Sequence, residues 1–247
     1  MTIVDESASP KATSIEEDSR DETSGTLEIQ VPRKPIKSAK KKSTRSRKST
    51  VRLPRDTRRR QLIDCSLRVF SAQGYHVTTM EHIAEEAQVS KPVLYQHFNG
   101  KQDLYLALLD DQIAQFVAAV SAPLYETEVN RDRVEGVLMA FFKFTRANPQ
   151  GYRLIFESDV HGDLMVQDKV EGLHRTMAEH IAGILGPNAG LDSQQAVLLS
   201  RTLSGMALSA TQHALHSGMS PTDLDQVGKL VFKLAWGGVS ILDEDWL

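Results

Sequence analysis

The sequence predicts an all-α protein of about nine helices, in which a small three-helix domain precedes a larger helical domain. Apolar residues recur with helical periodicity from Asp56 onward, and no segment shows the alternation typical of a strand. Capping residues begin, and Gly or Pro residues end, the separate helices into which this stretch divides. The first 50 residues are rich in Ser, Thr, Lys, Glu and Pro and nearly free of aromatics, so we expect disorder there. The predicted divisions are a tail over 1–50, a first domain over 51–101 and a second domain over 102–247.

Composition excludes several classes of protein. Of the 247 residues, 40% are hydrophobic and 25% are charged, and the single cysteine, Cys65, excludes an internal disulfide. No run of about 18 apolar residues predicts a membrane span, and the first 30 residues resemble no signal peptide. We therefore expect a cytoplasmic protein that does not contact a membrane.

Charge is distributed very unevenly along the chain, although the net charge is only -3. Residues 1–32 carry a net charge of -6, residues 33–60 carry +13, and residues 61–247 carry -10. The basic block indicates a polyanionic partner. We interpret residues 45–60 as an arm that contacts phosphates, the alternative being a solubilising tail.

Three helices are predicted in the first domain. The first begins at Asp56 as N-cap and stops at Gly74. The second is preceded by a capping box of Thr78 and Glu81, and the third covers 91–98 after a Ser90 cap. A tight turn at 88–89 separates the second and third helices, which is the spacing of a helix-turn-helix.

Six further helices follow in the second domain. Their predicted ranges are 101–124, 130–147, 151–158, 164–185, 192–217 and 220–242, with Gly186-Pro187 ending the fourth and Gly218 ending the fifth.

In a helix-turn-helix the second helix enters the major groove, and here it would turn polar and aromatic side chains outward. Lys91 suits the acceptors of guanine, Gln96 suits adenine, and Val93 suits the thymine methyl group. Tyr95, Lys101 and the two threonines at the second helix suit phosphates. The candidate DNA-binding residues are Thr78, Thr79, Ser90, Lys91, Pro92, Val93, Tyr95, Gln96, His97 and Lys101. The alternative is a three-helix cap with a solvated polar face.

Residues 56–106 resemble the DNA-binding domain of the TetR family of bacterial transcriptional regulators. The resemblance rests on Thr79–Ala84, on Val89–Phe98 and on Lys101. It implies a homodimer that binds a palindromic operator and an all-helical ligand-binding domain behind the DNA reader.

A narrower resemblance is to the FasR group of regulators of fatty-acid synthesis in mycolate-making actinobacteria. It rests on Leu53–Asp56, Ser90–Phe98, Gln150–Glu157 and Ala235–Gly238. It implies control of fatty-acid synthase genes and long-chain acyl-CoA as an effector that releases the DNA; no cofactor is expected. Whether binding represses or activates transcription stays open.

Aromatic and apolar side chains concentrate in the second domain, and an acyl chain would need such a lining. The candidate ligand-binding residues are Phe116, Leu124, Phe141, Phe144, Leu154, Phe156, Leu173 and Met177. Ordinary core packing is the alternative for each of them. Lys143, Arg146 and Arg153 are either solvated cations or attract the phosphates of coenzyme A.

Small residues among apolar ones in the last two helices suit a dimer-forming four-helix bundle, the alternative being packing within one chain. A second functional hypothesis is a regulator of drug efflux, for which Glu157 and Asp159 are candidate pocket carboxylates. No nucleophile–base pair or phosphate loop indicates an enzyme. His213 and His216 lack a carboxylate at metal-ligand spacing, so no metal site is predicted.

Overall fold

The computed structural model describes residues 54–188, 190–220 and 223–240, except the side chains at 185 and 188. The predicted tail over 1–50 lies outside this part of the chain. The described residues form nine α-helices and one 3₁₀ helix, without a strand, which confirms the predicted fold class. The helices are α1 Arg55–Val77, α2 Met80–Glu86, α3 Lys91–Tyr95, α4 Lys101–Ser121, α5 Asn130–Ala147, α6 Pro149–Phe156, α7 Leu164–Asn188, α8 Ser193–His216 and α9 Asp223–Val239, and the 3₁₀ helix Ala122–Tyr125 follows α4.

Helix α1 is interrupted at Gly74, where the sequence predicts a stop. Gly74 has φ 77° and ψ 168°, and a short further turn extends the helix to Val77. The predicted N-cap at Asp56 is wrong, because α1 begins at Arg55 and Asp56 lies inside its first turn. An acidic residue there still interacts favourably with the helix dipole.

We expect Gly74→Ala to lower the free energy of unfolding by about 1–3 kcal/mol, because glycine alone adopts this backbone region without strain. An added Cβ would also lie 3.0 Å from the Asp159 Oδ2 atom. Urea denaturation at fixed protein concentration measures the change. Gly100→Ala is the control, since a Cβ at Gly100 meets no atom within 4 Å. Equal stability of the two variants would contradict the strain at Gly74.

The helix-turn-helix of α2 and α3 packs on α1 through the apolar residues that the periodicity predicts. Met80, Ile83, Ala84 and Ala87 are all buried. In the turn, Gln88 has φ 53° and the Val89 N–H donates to the Ala84 carbonyl at 2.9 Å. This turn fixes the direction in which α3 leaves α2.

Helix α3 is shorter than predicted. It ends at Tyr95 rather than at Phe98. The Gln96 N–H still donates to the Pro92 carbonyl at 3.1 Å, but the His97 N–H donates to the Leu94 carbonyl at 3.0 Å, three residues back, so the chain leaves the α-helix there. Phe98 is buried, with 1% of its surface exposed. Phe98 therefore anchors the segment after α3 to the core of the first domain instead of extending the helix.

Boundaries in the second domain differ from the prediction by a few residues. Helix α4 ends at Ser121 and not at Leu124, because Pro123 has no N–H to continue the helical hydrogen bonds. Helix α7 continues through Gly186 and Pro187 to Asn188, so the predicted stop is wrong; proline fixes a φ that a last helical turn accepts. Residues 221, 222, 241 and 242, at the predicted ends of α9, lie outside the described residues.

Helix α4 joins the two domains into one core. Leu104 and Leu108 are fully buried, as is Leu109. The stretch Lys101–Tyr125 reaches a mean hydropathy of 1.2, a value that a membrane span would also reach, but half of the relevant window is buried inside the protein. The apolar composition of α4 is explained by its central position.

Candidate nucleic-acid interface and inner cavity

Helix α3 presents a polar surface on a rigid base. Leu94 is fully buried beneath it, whereas Lys91, Pro92 and Gln96 are exposed. Tyr95 has 45% of its surface exposed. The structure therefore brings most of the predicted reading residues together on one accessible helix, with Ser90 exposed at its start and Val93 half-buried.

Lys91 forms an ion pair with Glu81, so the first turns of α2 and α3 are linked. The hydrogen bond raises the pKa of Lys91 and lowers the pKa of Glu81. Both side chains are about half exposed, and such surface pairs contribute little stability. The ammonium group can therefore exchange this partner for DNA at small cost.

The two predicted threonines occupy different positions. Thr78 is buried and its hydroxyl donates to the Gly74 carbonyl at 2.7 Å, so its side chain does not reach the surface where a phosphate would bind. Thr79 is exposed and is the true N-cap of α2, accepting from the His82 N–H at 3.3 Å. The predicted capping box of Thr78 and Glu81 is wrong, because the cap lies one residue later.

Lys101 has a structural role in this conformation. Its Nζ donates to the Tyr75 carbonyl at 2.9 Å and lies 4.3 Å from the centre of the Tyr75 ring. It thereby satisfies a carbonyl at the end of α1. A phosphate contact by its ammonium group would compete with both interactions.

His97 lies beneath a group of arginines from α1. Burial lowers its pKa, and Arg55 and Arg59 lower it further. Arg59 packs 4.4 Å from the centre of the Phe98 ring. Within the described residues, His97 Nδ1 and Arg59 Nη1 are buried without a hydrogen-bond partner. Buried polar atoms normally have one, so a water or a group of a bound partner would complete both.

Cations concentrate at the N-terminal end of α1, where they oppose the helix dipole. Arg58 bonds Gln61 at 2.6 Å, and Arg60 pairs with Asp111 of α4. Sequence reasoning identified these arginines as the end of the basic block. It missed the pairing of Arg60 with Asp111, which joins residues 51 positions apart and carries no local signal.

Four of the predicted ligand-binding residues form one aromatic cluster. The Phe116 ring lies 5.6 Å from Phe141, 5.2 Å from Phe144 and 5.3 Å from Phe156, each edge-on. Leu173 is also buried. Edge-on packing of this kind is what aromatic rings prefer in a filled core.

An enclosed cavity lies beside this cluster, and three of the predicted residues line it. They are Leu124, Phe141 and Met177, together with Leu138, Leu203 and other apolar side chains. The cavity measures only about 30 Å³. Ligand pockets usually measure about 300–1,000 Å³, so a long chain would enter only after these helices separate.

Leu154 lies away from this cavity. It lines a cleft of about 230 Å³ where α6 meets α1 and α4, and Glu157 and Asp159 line the same cleft. Asp159 Oδ2 accepts from the Tyr75 N–H at 3.0 Å. Burial raises the pKa of Tyr105 in this cleft to about 12. These groups connect the first domain to the second, and the two carboxylates predicted for a drug pocket lie here.

Helices α8 and α9 expose apolar side chains side by side. Leu198 is 55% exposed and Leu234 is 64% exposed. Both line a groove of about 320 Å³ that also contains Leu199, Met206 and Gly238. An apolar strip of this kind on two neighbouring helices favours contact with another protein surface.

Comparison with known proteins gives consistent results. Residues 62–108 match the family model of bacterial regulatory proteins, tetR family. The chain is 36% identical over 189 residues to the HTH-type transcriptional activator FasR of Mycolicibacterium smegmatis, covering 76% of this chain and 86% of that protein. It is 21% identical over 126 residues to the fatty acid metabolism regulator protein of Bacillus subtilis, covering 51% of this chain and 64% of that one.

Solved structures share the fold. A TetR-like transcriptional regulator from Rhodococcus sp. RHA1 aligns with a TM-score of 0.63 at 26% identity, covering 77% of this chain and all of that one (100%). The regulator FadR of Bacillus subtilis, solved in complex with stearoyl-CoA, aligns with a TM-score of 0.63 at 20% identity, covering 72% and 98%. The second of these similarities indicates the fold alone.

Proposed function

We propose a function that proceeds from the family, since the chain belongs to the tetR family of bacterial regulatory proteins and is a transcriptional regulator. In this proposal it controls fatty-acid synthesis genes from the cytoplasm, binds a palindromic operator as a homodimer, and leaves the operator when long-chain acyl-CoA binds. The observation that carries the proposal is the exposed α3 surface in a chain 36% identical to FasR.

DNA reading is assigned to α3, with Lys91 and Gln96 on base edges and Val93 on a thymine methyl group. Ser90, Pro92 and Tyr95 border these contacts, and Thr79 is placed at a phosphate by the N-terminus of α2. The arginines of α1 near His97 add positive charge, and Arg59 Nη1 adds a donor without a partner within the described residues, near the same surface. The acidic second domain would repel phosphates and so remain away from the duplex.

The homodimer is assigned to α8 and α9. The exposed leucines of these helices would be buried against their counterparts in a second copy, which forms a four-helix bundle. Small residues such as Gly205, Gly237 and Gly238 let two helices approach closely. A two-fold axis through this bundle would hold two α3 helices at the spacing of two operator half-sites.

The effector is assigned to the second domain, where the aromatic cluster and the small cavity lie. An acyl chain would expand this cavity by separating the helices that line it. The cleft between α1, α4 and α6 would transmit that movement, since Asp159 binds the backbone of α1 directly. A ligand shifts the population of two states only by its differential affinity for them.

Titration of operator DNA tests the proposal. The DNA upstream of fatty-acid synthase genes is labelled, and its affinity for the protein is measured by fluorescence anisotropy with and without palmitoyl-CoA. We expect saturating palmitoyl-CoA to weaken binding about tenfold or more, within the usual range of coupling between two sites. Free coenzyme A, which lacks the acyl chain, is the control. Unchanged operator affinity at saturating palmitoyl-CoA would refute the effector assignment.

A regulator of drug efflux is less well supported by the same site. Asp159 already accepts a backbone N–H, and neither this residue nor Glu157 lines the enclosed cavity. A cationic drug in that cavity would meet an apolar lining without a carboxylate.

A further inference from the structure

A second and much larger groove lies on the outside of the second domain. It measures about 830 Å³ and is lined by α5, by α9, by the end of α4 and by the 3₁₀ helix. This volume is typical of a site for a drug-sized ligand, whereas the enclosed cavity measures about 30 Å³. Because helix geometry forms the groove, it exists before any ligand arrives.

The floor of the groove is apolar and consists of small side chains. They are Ala119, Ala122, Pro123, Gly136, Ala140 and Ala147. A Cβ on Gly136 would lie 2.6 Å from the Pro123 Cβ atom, so glycine is what lets α5 and the 3₁₀ helix meet. This apolar lining suits the face of a planar ring.

The rim of the groove carries an excess of cations. Lys143 and Lys229 are exposed, and within the described residues neither forms an ion pair. Arg146 pairs with Asp225 through Nη1 and Oδ2 at 2.7 Å, which leaves Glu126 as the remaining acid of the rim. Lysine ammonium groups on mobile stems are effective ligands for phosphate groups.

One aromatic path connects this groove with the enclosed cavity. Phe144 lines the groove, and its ring lies 5.2 Å from that of Phe116. The Phe116 ring lies 5.6 Å from that of Phe141, which lines the cavity. Two ring contacts therefore separate a basic, preformed groove from a closed apolar cavity.

We propose that this groove binds the phosphate-bearing nucleotide of a coenzyme A thioester, with Lys143 and Lys229 on its phosphates and the acyl chain passing Phe144 and Phe116 into the cavity. The adenine ring lies on the apolar floor. The inference rests on the proposed function for the acyl chain, but the groove recognises the nucleotide by itself. It assigns the head of the ligand and its chain to different parts of the same domain.

The test compares ligands with and without the nucleotide. Dissociation constants are measured by calorimetry for palmitoyl-CoA, for palmitoyl-pantetheine, which lacks the nucleotide, and for free coenzyme A. We expect Lys143→Ala/Lys229→Ala to weaken palmitoyl-CoA binding about tenfold or more and to abolish detectable binding of free coenzyme A, because two charge-assisted contacts are lost. The affinity of this variant for palmitoyl-pantetheine should equal that of the wild type.

The control variant Arg68→Ala/Arg175→Ala removes two exposed cations that do not line the groove, and it should bind palmitoyl-CoA as the wild type does. A second variant is expected to bind palmitoyl-CoA more tightly, a result that a misfolded protein would not give. Glu126→Gln removes the acid of the rim and should tighten palmitoyl-CoA binding about two- to threefold at low salt, since a like charge no longer faces the phosphates.

The outcomes separate this inference from the proposed function. If palmitoyl-CoA releases the operator but binds equally well to the lysine variant, the groove assignment is overturned and the effector assignment stands. If free coenzyme A binds and is lost in the lysine variant, but palmitoyl-CoA does not release DNA, the groove assignment stands and the effector assignment fails. If no coenzyme A ligand binds, both are overturned.

Discussion

A variant with Lys91→Ala and Gln96→Ala should bind operator DNA about a hundredfold more weakly than the wild type does. Its affinity for unrelated DNA should be almost the same as that of the wild type. Each good bidentate contact between a side chain and a base is worth about 1–3 kcal/mol, and a dimer makes each contact twice. The ion pair of Lys91 with Glu81 must break when the wild type binds DNA, which reduces the net affinity that Lys91 contributes. We therefore expect a loss near the low end of this range, about a hundredfold.

Affinity for unrelated DNA depends on phosphate contacts, and the variant loses only one positive charge per chain. Fluorescence anisotropy with an operator mapped by footprinting and with a scrambled duplex at the same salt concentration gives both affinities. Arg175→Ala removes one cation from the exposed side of α7 and controls for net charge. An equal loss on both duplexes would place Lys91 and Gln96 on phosphates, and no loss would remove α3 from the reading surface.

Replacement of Phe116 with alanine should lower the free energy of unfolding by about 3–5 kcal/mol, the cost of removing a large aromatic side chain from a core. Phe116 is 3% exposed and contacts three other rings edge-on, so no neighbour fills the space easily. Urea denaturation gives the change, at one protein concentration because a dimer's stability depends on concentration.

Leu164→Ala is the matched control for Phe116→Ala. Leu164 is 78% exposed at the start of α7, and its truncation should change the free energy of unfolding by less than about 0.5 kcal/mol. A loss below about 1 kcal/mol at Phe116 would mean that the cluster is loosely packed. The aromatic path between the outer groove and the cavity would then be open in the absence of ligand.

Short-range signals predicted the helices well. The range of α5, Asn130–Ala147, was predicted to the residue, because Asn148-Pro149 is an unambiguous break. Helix α8 begins within one residue of the predicted position, at Ser193, where Asp192 accepts from Gln194 and Gln195 in a capping box. Boundaries failed where two signals competed, as at Pro187, where the local rule for proline predicts a stop and the last turn tolerates it.

The candidate site was predicted as a set of residues and not as an arrangement. The motif placed Lys91, Tyr95 and Gln96 on an exposed helix, and the structure keeps all three exposed, with Gln96 at the C-cap of α3. Thr78 and Lys101 bind the end of α1 instead, because backbone carbonyls that the kink at Gly74 leaves free need donors. The Lys101 pairing joins residues 26 positions apart, and no local sequence pattern encodes it.

The ligand-binding prediction shows the same limit. Apolar periodicity identified buried residues correctly, but it does not distinguish a packed cluster from a cavity lining. Phe116 and Met177 are both buried, yet only Met177 lines the cavity. The outer groove was not predicted, since its walls are formed by α5, α9 and the 3₁₀ helix together. Lys143 and Arg146 were noted as cations, and Lys229 carried no signal at all.

The most direct test of the central claim is reciprocity between the two ligands. If palmitoyl-CoA weakens operator binding by some factor, thermodynamic linkage requires the operator to weaken palmitoyl-CoA binding by the same factor. Calorimetry of palmitoyl-CoA with the free protein and with the protein saturated by operator measures this factor. We predict that the operator weakens palmitoyl-CoA binding about tenfold or more, matching the loss of operator affinity. Equal affinity of palmitoyl-CoA for the free and the operator-bound protein would contradict release by the ligand.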